Sequence, residues 1–270
     1  MTPSIDVTAG KAARLFQIVE DLGVPCGYER SFKMLEYTLL ANRFLLGINT
    51  RDLPPERLLD VCRRLDMPAQ YVESFQAHLA DANLVFLGFE DNEPDCLYKV
   101  YLEFWEKVTS DIHSKSDKQE PVLLHLGFKW NADDNMQRAV ARYMCYPLLP
   151  VESILQRLSK VYEGHEDNSS LRIVEDLITF AGSRGAGSSF IYVEVGEENY
   201  PRRSFDINLY KAKLRLKEIA SSLSRMREHY AIPAGRFERL YQLVGDKRFG
   251  HLAGGLNRDG EDFLTVYYEV

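Results

Sequence analysis

The sequence predicts an α+β fold in which antiparallel β-hairpins alternate with helices. After Asn83, apolar residues at helical spacing give way to short runs in which apolar and polar residues alternate. Between paired runs stand turns rich in Gly, Asn and Asp, of which Asp259-Gly260 is the strongest hairpin signal. The plan of strand, turn, strand and helix then recurs, which indicates a repeat by pattern rather than by sequence identity.

Composition excludes several classes of protein. The chain has 270 residues, of which 45% are hydrophobic, so one large domain or two small ones can bury a core. Its net charge of -7 weighs against a nucleic-acid-binding protein, which needs a concentrated basic face. No apolar run approaches the roughly 20 residues of a membrane span, and Met1 to Val7 lack the features of a signal peptide. We therefore expect a cytoplasmic protein.

The four cysteines are scattered along the chain, with no CxxC pair. Zinc sites and redox motifs usually need such close pairs, so we expect free thiols in a reducing compartment. No HExxH or GxSxG motif and no histidine-ligand spacing occurs either, and we predict no metal held by the protein.

Residues 1–82 predict an N-terminal helical segment. An apolar stripe from Leu15 to Leu22 ends before Gly23, and a second stripe runs from Phe32 to Phe44. Prolines at 54, 55 and 68 open two further helical stretches. We expect this segment to pack on a repeated part formed by residues 83–270, the two making one structural domain.

Four hairpins are predicted in the repeated part, with amphipathic helices between them. The Asp111 to Glu120 stretch is polar and the Gly182 to Ser189 stretch is rich in Gly and Ser, so both are predicted as mobile loops. The hairpins are predicted over residues 84–105, 122–148, 190–210 and 250–270.

Each predicted strand divides into an apolar face and a polar face, because successive side chains point to opposite sides of a sheet. In Leu97 to Phe104, for example, Val100 and Leu102 oppose Lys99 and Tyr101. Unpaired buried charge costs several kcal/mol, so the polar faces must pair internally, meet water or bind a ligand. Two architectures fit: an open sheet with one wet face, or a closed barrel with a polar centre and helices outside.

Three stretches resemble the aromatic prenyltransferases of the ABBA type. Tyr98-Lys-Val-Tyr101 looks like the Lys-x-Tyr strand that this family places at a prenyl diphosphate. Arg202 to Tyr210 is similar to its basic strand ending in Asn-Leu-Tyr, and the stretch from His251 to Glu269 is similar to its closing hairpin. The resemblance implies an antiparallel barrel with helices outside, although the family usually has five units and only four hairpins are counted here.

The implied activity is transfer of an isoprenoid from an allylic diphosphate to an aromatic small molecule or peptide in specialised metabolism. Departure of diphosphate develops negative charge, which cations and hydrogen-bond donors must already be placed to meet. Magnesium could accompany the diphosphate. The candidate diphosphate-binding residues are Lys99, Lys129, Arg142 and Asn208.

The allyl cation and the proton set two further requirements. Tyrosine faces stabilise a carbocation without attacking it. The candidate shielding residues are Tyr101, Tyr146, Tyr210 and Tyr267. A carboxylate or an imidazole can take the proton that an indole or phenol releases. The candidate proton acceptors are Glu90, Glu194 and, as an alternative, His125.

Structural roles compete with these functional ones. Lys99 could pair with Glu90 or Glu103 across the strands, and His125 could serve as a hydrogen-bonded structural residue. A non-catalytic binding protein, or an isomerase or cyclase with a polar centre that binds an anionic or aromatic metabolite, fits the same pattern. Four hairpins would also leave an unpaired sheet edge, through which a homodimer could form.

Overall fold

The computed structural model describes residues 4–92, 95–114, 120–184 and 189–270. The helices are α1 Ser4–Glu20, α2 Pro55–Arg64, α3 Ala69–Leu79, α4 Trp105–Ser114, α5 Val151–Val161, α6 Ser169–Arg184, α7 Ala220–His229 and α8 Ala234–Val244. The strands are β1 Gly27–Leu35, β2 Thr38–Asn49, β3 Leu84–Asp91, β4 Cys96–Glu103, β5 Val122–Asn131, β6 Arg138–Pro150, β7 Ser189–Glu197, β8 Tyr200–Asn208, β9 Phe249–Leu256 and β10 Asp262–Glu269.

The ten strands are hydrogen-bonded in the order β1-β10-β9-β8-β7-β6-β5-β4-β3-β2, which closes a barrel. The pairs β2–β3, β3–β4, β4–β5, β7–β8, β8–β9 and β9–β10 are all antiparallel. The predicted fold class is confirmed, and the barrel is the correct one of the two architectures. Because the barrel is closed, each strand has a hydrogen-bonded neighbour on both sides. A homodimer through an open sheet edge is therefore no longer indicated.

The prediction that residues 1–82 are helical is wrong for residues 27–49, which form the hairpin β1–β2. The predicted apolar stripe runs straight across the turn, where Tyr37 has a φ of 56°. The observed burial alternates instead, with Phe44, Leu46 and Ile48 buried along β2. Several apolar residues of this stripe are three or four positions apart, as in a helix, so the two-residue period of a strand is not evident from the sequence. This hairpin is the fifth unit that the sequence count had missed.

The other N-terminal helices are confirmed. Helix α2 begins at Pro55, where the missing N–H of proline is not needed by the helix, and α3 follows Pro68. Two predicted loops are shorter than expected, because α4 continues to Ser114 and α6 to Arg184. The rest of those two stretches lies outside the described residues, apart from Glu120 and Ser189.

Contacts divide the chain into two compact units, of which the first consists mainly of Met1–Glu29, Asn42–Ser116 and Leu123–Tyr143. In this unit, side chains of α1, α2 and α3 pack on the apolar face of β2–β5. Val100 and Leu126 are fully buried there with Phe75 of α3. The prediction that these two strand residues face the helices is therefore confirmed.

The second unit consists mainly of Arg30–Ala41 and Met144–Val270. Its core joins the apolar face of β7–β10 to helices α5 to α8, with Ile207 and Leu252 fully buried. Ile207 also faces the helices, as predicted. The opposite face of both units is here called the polar face. Among the described residues, no helix is long and apolar enough to cross a membrane.

A polar cluster sits beside the core of the second unit. His229 Nε2 lies 2.7 Å from Asp262 Oδ2, and the Tyr230 hydroxyl donates to the same oxygen at 3.1 Å. The hydrogen bond to Asp262 raises the pKa of His229, against the opposing effect of burial. Burial favours a raised pKa for Asp262, but its hydrogen bonds with His229, Ser170 and Tyr230 outweigh this and lower it. Each partner therefore favours the charged form of the other.

His229→Gln should destabilise the protein more in acid than in base. Because folding raises the pKa of His229, the stability that its interaction with Asp262 contributes is fully present below the pKa of the unfolded chain. This stability is lost as the pH rises through the pKa of the folded protein. Near about pH 5.5 we expect an extra loss of about 1–3 kcal/mol compared with about pH 9. Urea unfolding at both pH values measures it. His165→Gln is the control, because Nδ1 of the His165 ring meets a neutral group, the main-chain carbonyl oxygen of Asp167, at 2.8 Å. Equal destabilisation at both pH values would contradict the assignment.

Candidate active site

A buried carboxylate lies between two cations on the polar face of the first unit. Strand pairing sets Arg43 opposite Glu90, while Lys99 stands opposite Gly88, next to Glu90 on the same face. Arg43 Nη1 contacts Glu90 Oε1, and Lys99 Nζ contacts Glu90 Oε2. The Glu90 side chain is only 6% exposed. A carboxylate this deeply buried needs a charged partner. The ion pair of Lys99 with Glu90, named above as a structural alternative, is present.

Lys129 adds a third cation to this face. The register places it directly opposite Lys99 across β4 and β5. Like charges at directly opposed positions destabilise a sheet unless other charges compensate them. Arg43, Lys99 and Lys129 thus bring three positively charged side chains to this part of the face, and Glu90 contacts the first two. Of the predicted diphosphate-binding residues, the structure brings Lys99 and Lys129 together here.

An aromatic cluster surrounds a histidine on the same face. His125 Nε2 lies 2.9 Å from Glu103 Oε2. Ring centroids lie 5.6 Å from His125 for Tyr143, 5.9 Å for Phe86 and 6.5 Å for Tyr101. His125 thus has the fixed partner that the sequence did not reveal, and Tyr101 is on the predicted face.

Glycine makes room for this cluster at Gly127, which pairs with Tyr101. A Cβ atom there would lie 2.7 Å from a carbon of the Tyr101 ring and 3.3 Å from the Tyr143 ring. Gly88 acts in the same way, but its space is taken by the side chains of Leu45 and Lys99. The space beside Gly88 is therefore filled by the protein's own side chains.

Strand β6 has the opposite parity to the one predicted. Arg138 stacks over Tyr71 of α3, at 5.9 Å, so it faces the helices. Arg142 shares the parity of Arg138 and is exposed. Tyr143, the residue after Arg142, has the opposite parity and reaches the polar face, where its ring lies near that of Tyr101. The placement of Arg142 beside Lys99 is wrong. Tyr143 was missed because Arg142 was taken to mark the polar face.

Tyr146 and Glu194 were also placed on the wrong face. The Arg157 guanidinium of α5 lies 3.6 Å from the Tyr146 ring centroid, and its Nη1 is 2.9 Å from Glu194 Oε1. The Tyr146 hydroxyl donates to Glu194 at 3.4 Å. Burial, with Glu194 nearby, raises the pKa of Tyr146. Tyr192, which has the same parity as Glu194, is fully buried in the core that contains the helices. Tyr146 is buried on this side too, whereas Glu194 lies at its edge, 38% exposed, where it meets Arg157.

The polar face of the second unit carries a different set of groups. Asp206 and Asn208 of β8 share this face with His251 of β9. His251 Nδ1 lies 2.8 Å from Asp206 Oδ1, and its Nε2 lies 3.4 Å from Asn208 Nδ2. Asn208 therefore lies on the predicted face but beside a histidine and a carboxylate rather than among cations.

Two predicted tyrosines lie beside His251. Their ring centroids are 5.4 Å away for Tyr210 and 6.0 Å away for Tyr267, both edge-on. Tyr210 follows β8 in a short 3-10 helix, Tyr210–Ala212, rather than within the strand. His251 is a residue of this face that was not predicted, although its parity in β9 places it with Asp206.

A metal held by a protein needs several His, Cys, Asp or Glu side chains in one place. Among the described residues, no three His, Cys, Asp or Glu side chains are placed to share a metal ion. Both oxygens of Glu90 contact cations instead. Magnesium with a bound diphosphate stays an expectation, and no chemical step is derived through it. No disulfide joins any of the four cysteines, all of which lie among the described residues.

Solved structures with the same fold are aromatic prenyltransferases. A 6-dimethylallyl tryptophan synthase matches with a TM-score of 0.61 and 16% identity, covering 100% of this chain and 96% of its own. The 5-dimethylallyltryptophan synthase from Streptomyces coelicolor matches with a TM-score of 0.63 and 14% identity, covering 96% and 91%. The 6-dimethylallyltryptophan synthase from Micromonospora olivasterospora, in complex with DMASPP and Trp, matches with a TM-score of 0.57 and 15% identity, covering 100% and 97%.

These likenesses establish the fold. The chain has the ABBA-type barrel of the aromatic prenyltransferases, over nearly its full length. No family model matches the sequence, and no curated protein does.

Gly127→Ala should disrupt the aromatic cluster. The new Cβ would force the Tyr101 ring to move, and overpacking of this kind typically destabilises by about 1–3 kcal/mol. Gly196→Ala is the matched control, since a Cβ there meets nothing within 4 Å. Urea unfolding of both variants measures the difference. Equal stability would show that the ring has room to shift.

Proposed function

We propose that this chain is an aromatic prenyltransferase, which transfers an isoprenoid from an allylic diphosphate to an aromatic small molecule or peptide. The observation that carries the proposal is the juxtaposition of Lys99 and Lys129 beside Arg43 on the polar face of the first unit. The shared fold supports it, since all three of the solved structures described above are named for dimethylallyltryptophan synthesis and one of them is in complex with DMASPP and Trp.

The cations suit a diphosphate leaving group. When the allylic C–O bond breaks, its electron pair leaves with the diphosphate, and negative charge grows on the oxygens. Cations that are already in place stabilise this charge without having to reorganise. An anion bound between Lys99 and Lys129 would also relieve the repulsion between two directly opposed lysines.

The aromatic residues suit the organic part of the reaction. A carbocation is stabilised by the faces of aromatic rings and would be destroyed by water. Tyr101 and Tyr143 supply such rings in the first unit, and Tyr210 and Tyr267 supply them in the second. An acceptor such as an indole or a phenol then attacks through its ring carbon, and the proton on that carbon must be removed.

A non-catalytic binding protein with the same fold is the second candidate. It is favoured by the pairing of Glu90, whose oxygens both contact cations, as in a structural ion network. Incubation with dimethylallyl diphosphate and a panel of indoles, phenols and aromatic dipeptides, followed by mass spectrometry, separates the two. A prenylated product supports the enzyme. Tight diphosphate binding without any product in the panel supports the binding protein.

Lys99→Ala and Lys129→Ala should each weaken pyrophosphate binding about 10- to 100-fold, since a hydrogen bond to a charged group contributes about 1.5–3 kcal/mol. Lys129→Ala is the cleaner variant, because it removes neither cation that contacts Glu90. Calorimetric titration measures the affinity, and the melting temperature checks the fold.

Arg142→Ala is the matched control for these two variants. Arg142 is a basic residue of the neighbouring part of the sheet, but it is exposed and shares the parity of the helix-facing Arg138. We expect it to leave pyrophosphate affinity unchanged. Unchanged affinity in both lysine variants would remove the diphosphate from these strands.

Glu90→Gln should slow transfer about 100- to 10,000-fold if Glu90 accepts the proton, the usual contribution of a positioned base. Diphosphate affinity would then stay close to that of the wild type. If Glu90 serves only to hold Arg43 and Lys99, affinity and melting temperature should fall together. Turnover, pyrophosphate affinity and melting temperature are measured on one preparation. Wild-type turnover in the variant would exclude Glu90 as the base.

A further inference from the structure

A carboxylate and an imidazole lie together at one end of the polar face of the first unit. Glu103 is the last residue of β4 and stands directly opposite His125 of β5. His125 Nε2 lies 2.9 Å from Glu103 Oε2. An ionised carboxylate only accepts hydrogen bonds, so Nε2 is the donor in this contact. The hydrogen bond orients the carboxylate through one of its two oxygens.

The carboxylate of Glu103 has the capacity to accept from a second donor. Its two oxygens offer about four lone-pair positions. Among the residues that the structure describes, His125 is the one partner of the Glu103 side chain. This side chain is 17% exposed, so it is largely withdrawn from water without being sealed in a core. A carboxylate in such surroundings favours a partner that carries positive charge.

Aromatic rings gather around this pair. The ring centroids of Phe86, Tyr101 and Tyr143 all lie within 6.5 Å of the His125 ring centroid. Tyr101 precedes Glu103 by two residues and therefore stands next to it on the same face of β4. The faces of aromatic rings attract organic ammonium ions. A group that is positively charged and also donates hydrogen bonds thus suits this end of the face.

Lysines stand further along the same two strands. Lys99 precedes Glu103 by four residues on β4, and Lys129 follows His125 by four residues on β5. Each lysine therefore shares the face of its strand partner at about 13 Å along the strand. A phosphate group is attracted to the lysines, and an amine is repelled by them and attracted to Glu103. The two ends of the face thus orient two differently charged ligands, with Tyr101 between them.

We propose that Glu103, oriented by His125, binds an ammonium group of the aromatic acceptor; this rests on the proposed function. The acceptor is then an aromatic amine, such as an arylethylamine, rather than an aromatic carboxylic acid. Its ammonium group donates hydrogen bonds to Glu103, and its ring lies towards Tyr101, on the side of the diphosphate. His125 is a positioning residue, since it acts through the carboxylate that it holds.

Three indoles that differ in charge test the proposal in the full-length wild type. Tryptamine carries an ammonium group, 3-methylindole is neutral and indole-3-propionate carries a carboxylate. Calorimetric titration measures their affinities in the presence of pyrophosphate, which competes with the propionate for Lys99 and Lys129. We expect tryptamine to bind about 10- to 100-fold more tightly than either of the others, the usual effect of a hydrogen bond between charged groups. Equal affinities, or tighter binding of the propionate, overturn the proposal.

Glu103→Gln removes the charge and keeps the size of the side chain. Affinity for tryptamine should fall about 10- to 100-fold, while affinity for 3-methylindole changes less than threefold. Glu106→Gln is the matched control, because Glu106 is a glutamate of the same unit that pairs with Arg51 at the surface, 64% exposed. It should leave all three affinities unchanged. Wild-type tryptamine affinity in a folded Glu103→Gln variant, as judged by its melting temperature, overturns the proposal.

Turnover with dimethylallyl diphosphate separates this proposal from the proposed function. If the wild type prenylates tryptamine and 3-methylindole with equal kcat/KM, the chain is a prenyltransferase and the role of Glu103 is overturned. If tryptamine binds selectively through Glu103 but no indole is prenylated, the amine site is supported and the prenyltransferase is contradicted. A preference for tryptamine in kcat/KM that Glu103→Gln abolishes supports both.

Discussion

The alternation of side chains along the strands is the constraint on which the rest of the structure depends. In an antiparallel ladder, directly opposed residues share a face, so one register fixes the surroundings of every residue on neighbouring strands. Pairing of Gly88 with Lys99, and of Lys99 with Lys129, puts a glycine and two cations on one side of three strands. The same register sends Val100 to the helix side. A slip by one residue would bury the lysines and expose the core.

Because the polar face is fixed in this way, its charges must be compensated within it. Glu90 stabilises Arg43 and Lys99, which would otherwise be two cations held close together at low exposure. Lys129 places a third cation directly opposite Lys99. In the second unit Asp206 is hydrogen-bonded to His251 instead. The two units therefore carry different groups on this face: clustered cations around a carboxylate in the first, and a histidine–aspartate pair beside aromatic rings in the second.

The sequence predicts strands well where the two faces differ strongly and less well where they do not. In β4 and β5, aliphatic residues alternate with Lys, Glu and His, so Lys99, Tyr101, His125 and Lys129 are placed correctly. In β7, Tyr192 and Glu194 alternate with Ile191 and Val193, so polarity alone assigns Tyr192 and Glu194 to the polar face. In the structure they lie on the helix side, and Val193 is paired with Asp206 of the polar face. The ring of Tyr192 is buried under helices, and Glu194 reaches Arg157 at their edge. Partners such as Arg157 lie distant in sequence, so the burial and pairing of a charge cannot be read from its own strand.

The two histidines of the polar face show why such partners matter for chemistry. His125 contacts Glu103 through Nε2, and His251 contacts Asp206 through Nδ1. Nδ1 is next to the carbon that joins the ring to the main chain, whereas Nε2 lies at the far edge of the ring. In His125 the outer nitrogen is therefore occupied by the carboxylate, and the lone pair of the neutral ring falls on the nitrogen nearest the backbone. In His251 the carboxylate contacts the inner nitrogen, and the outer nitrogen lies 3.4 Å from Asn208 Nδ2. Two histidines that look alike in sequence thus present different ring nitrogens to a carboxylate, a difference that depends on partners in neighbouring strands and cannot be read from either residue alone.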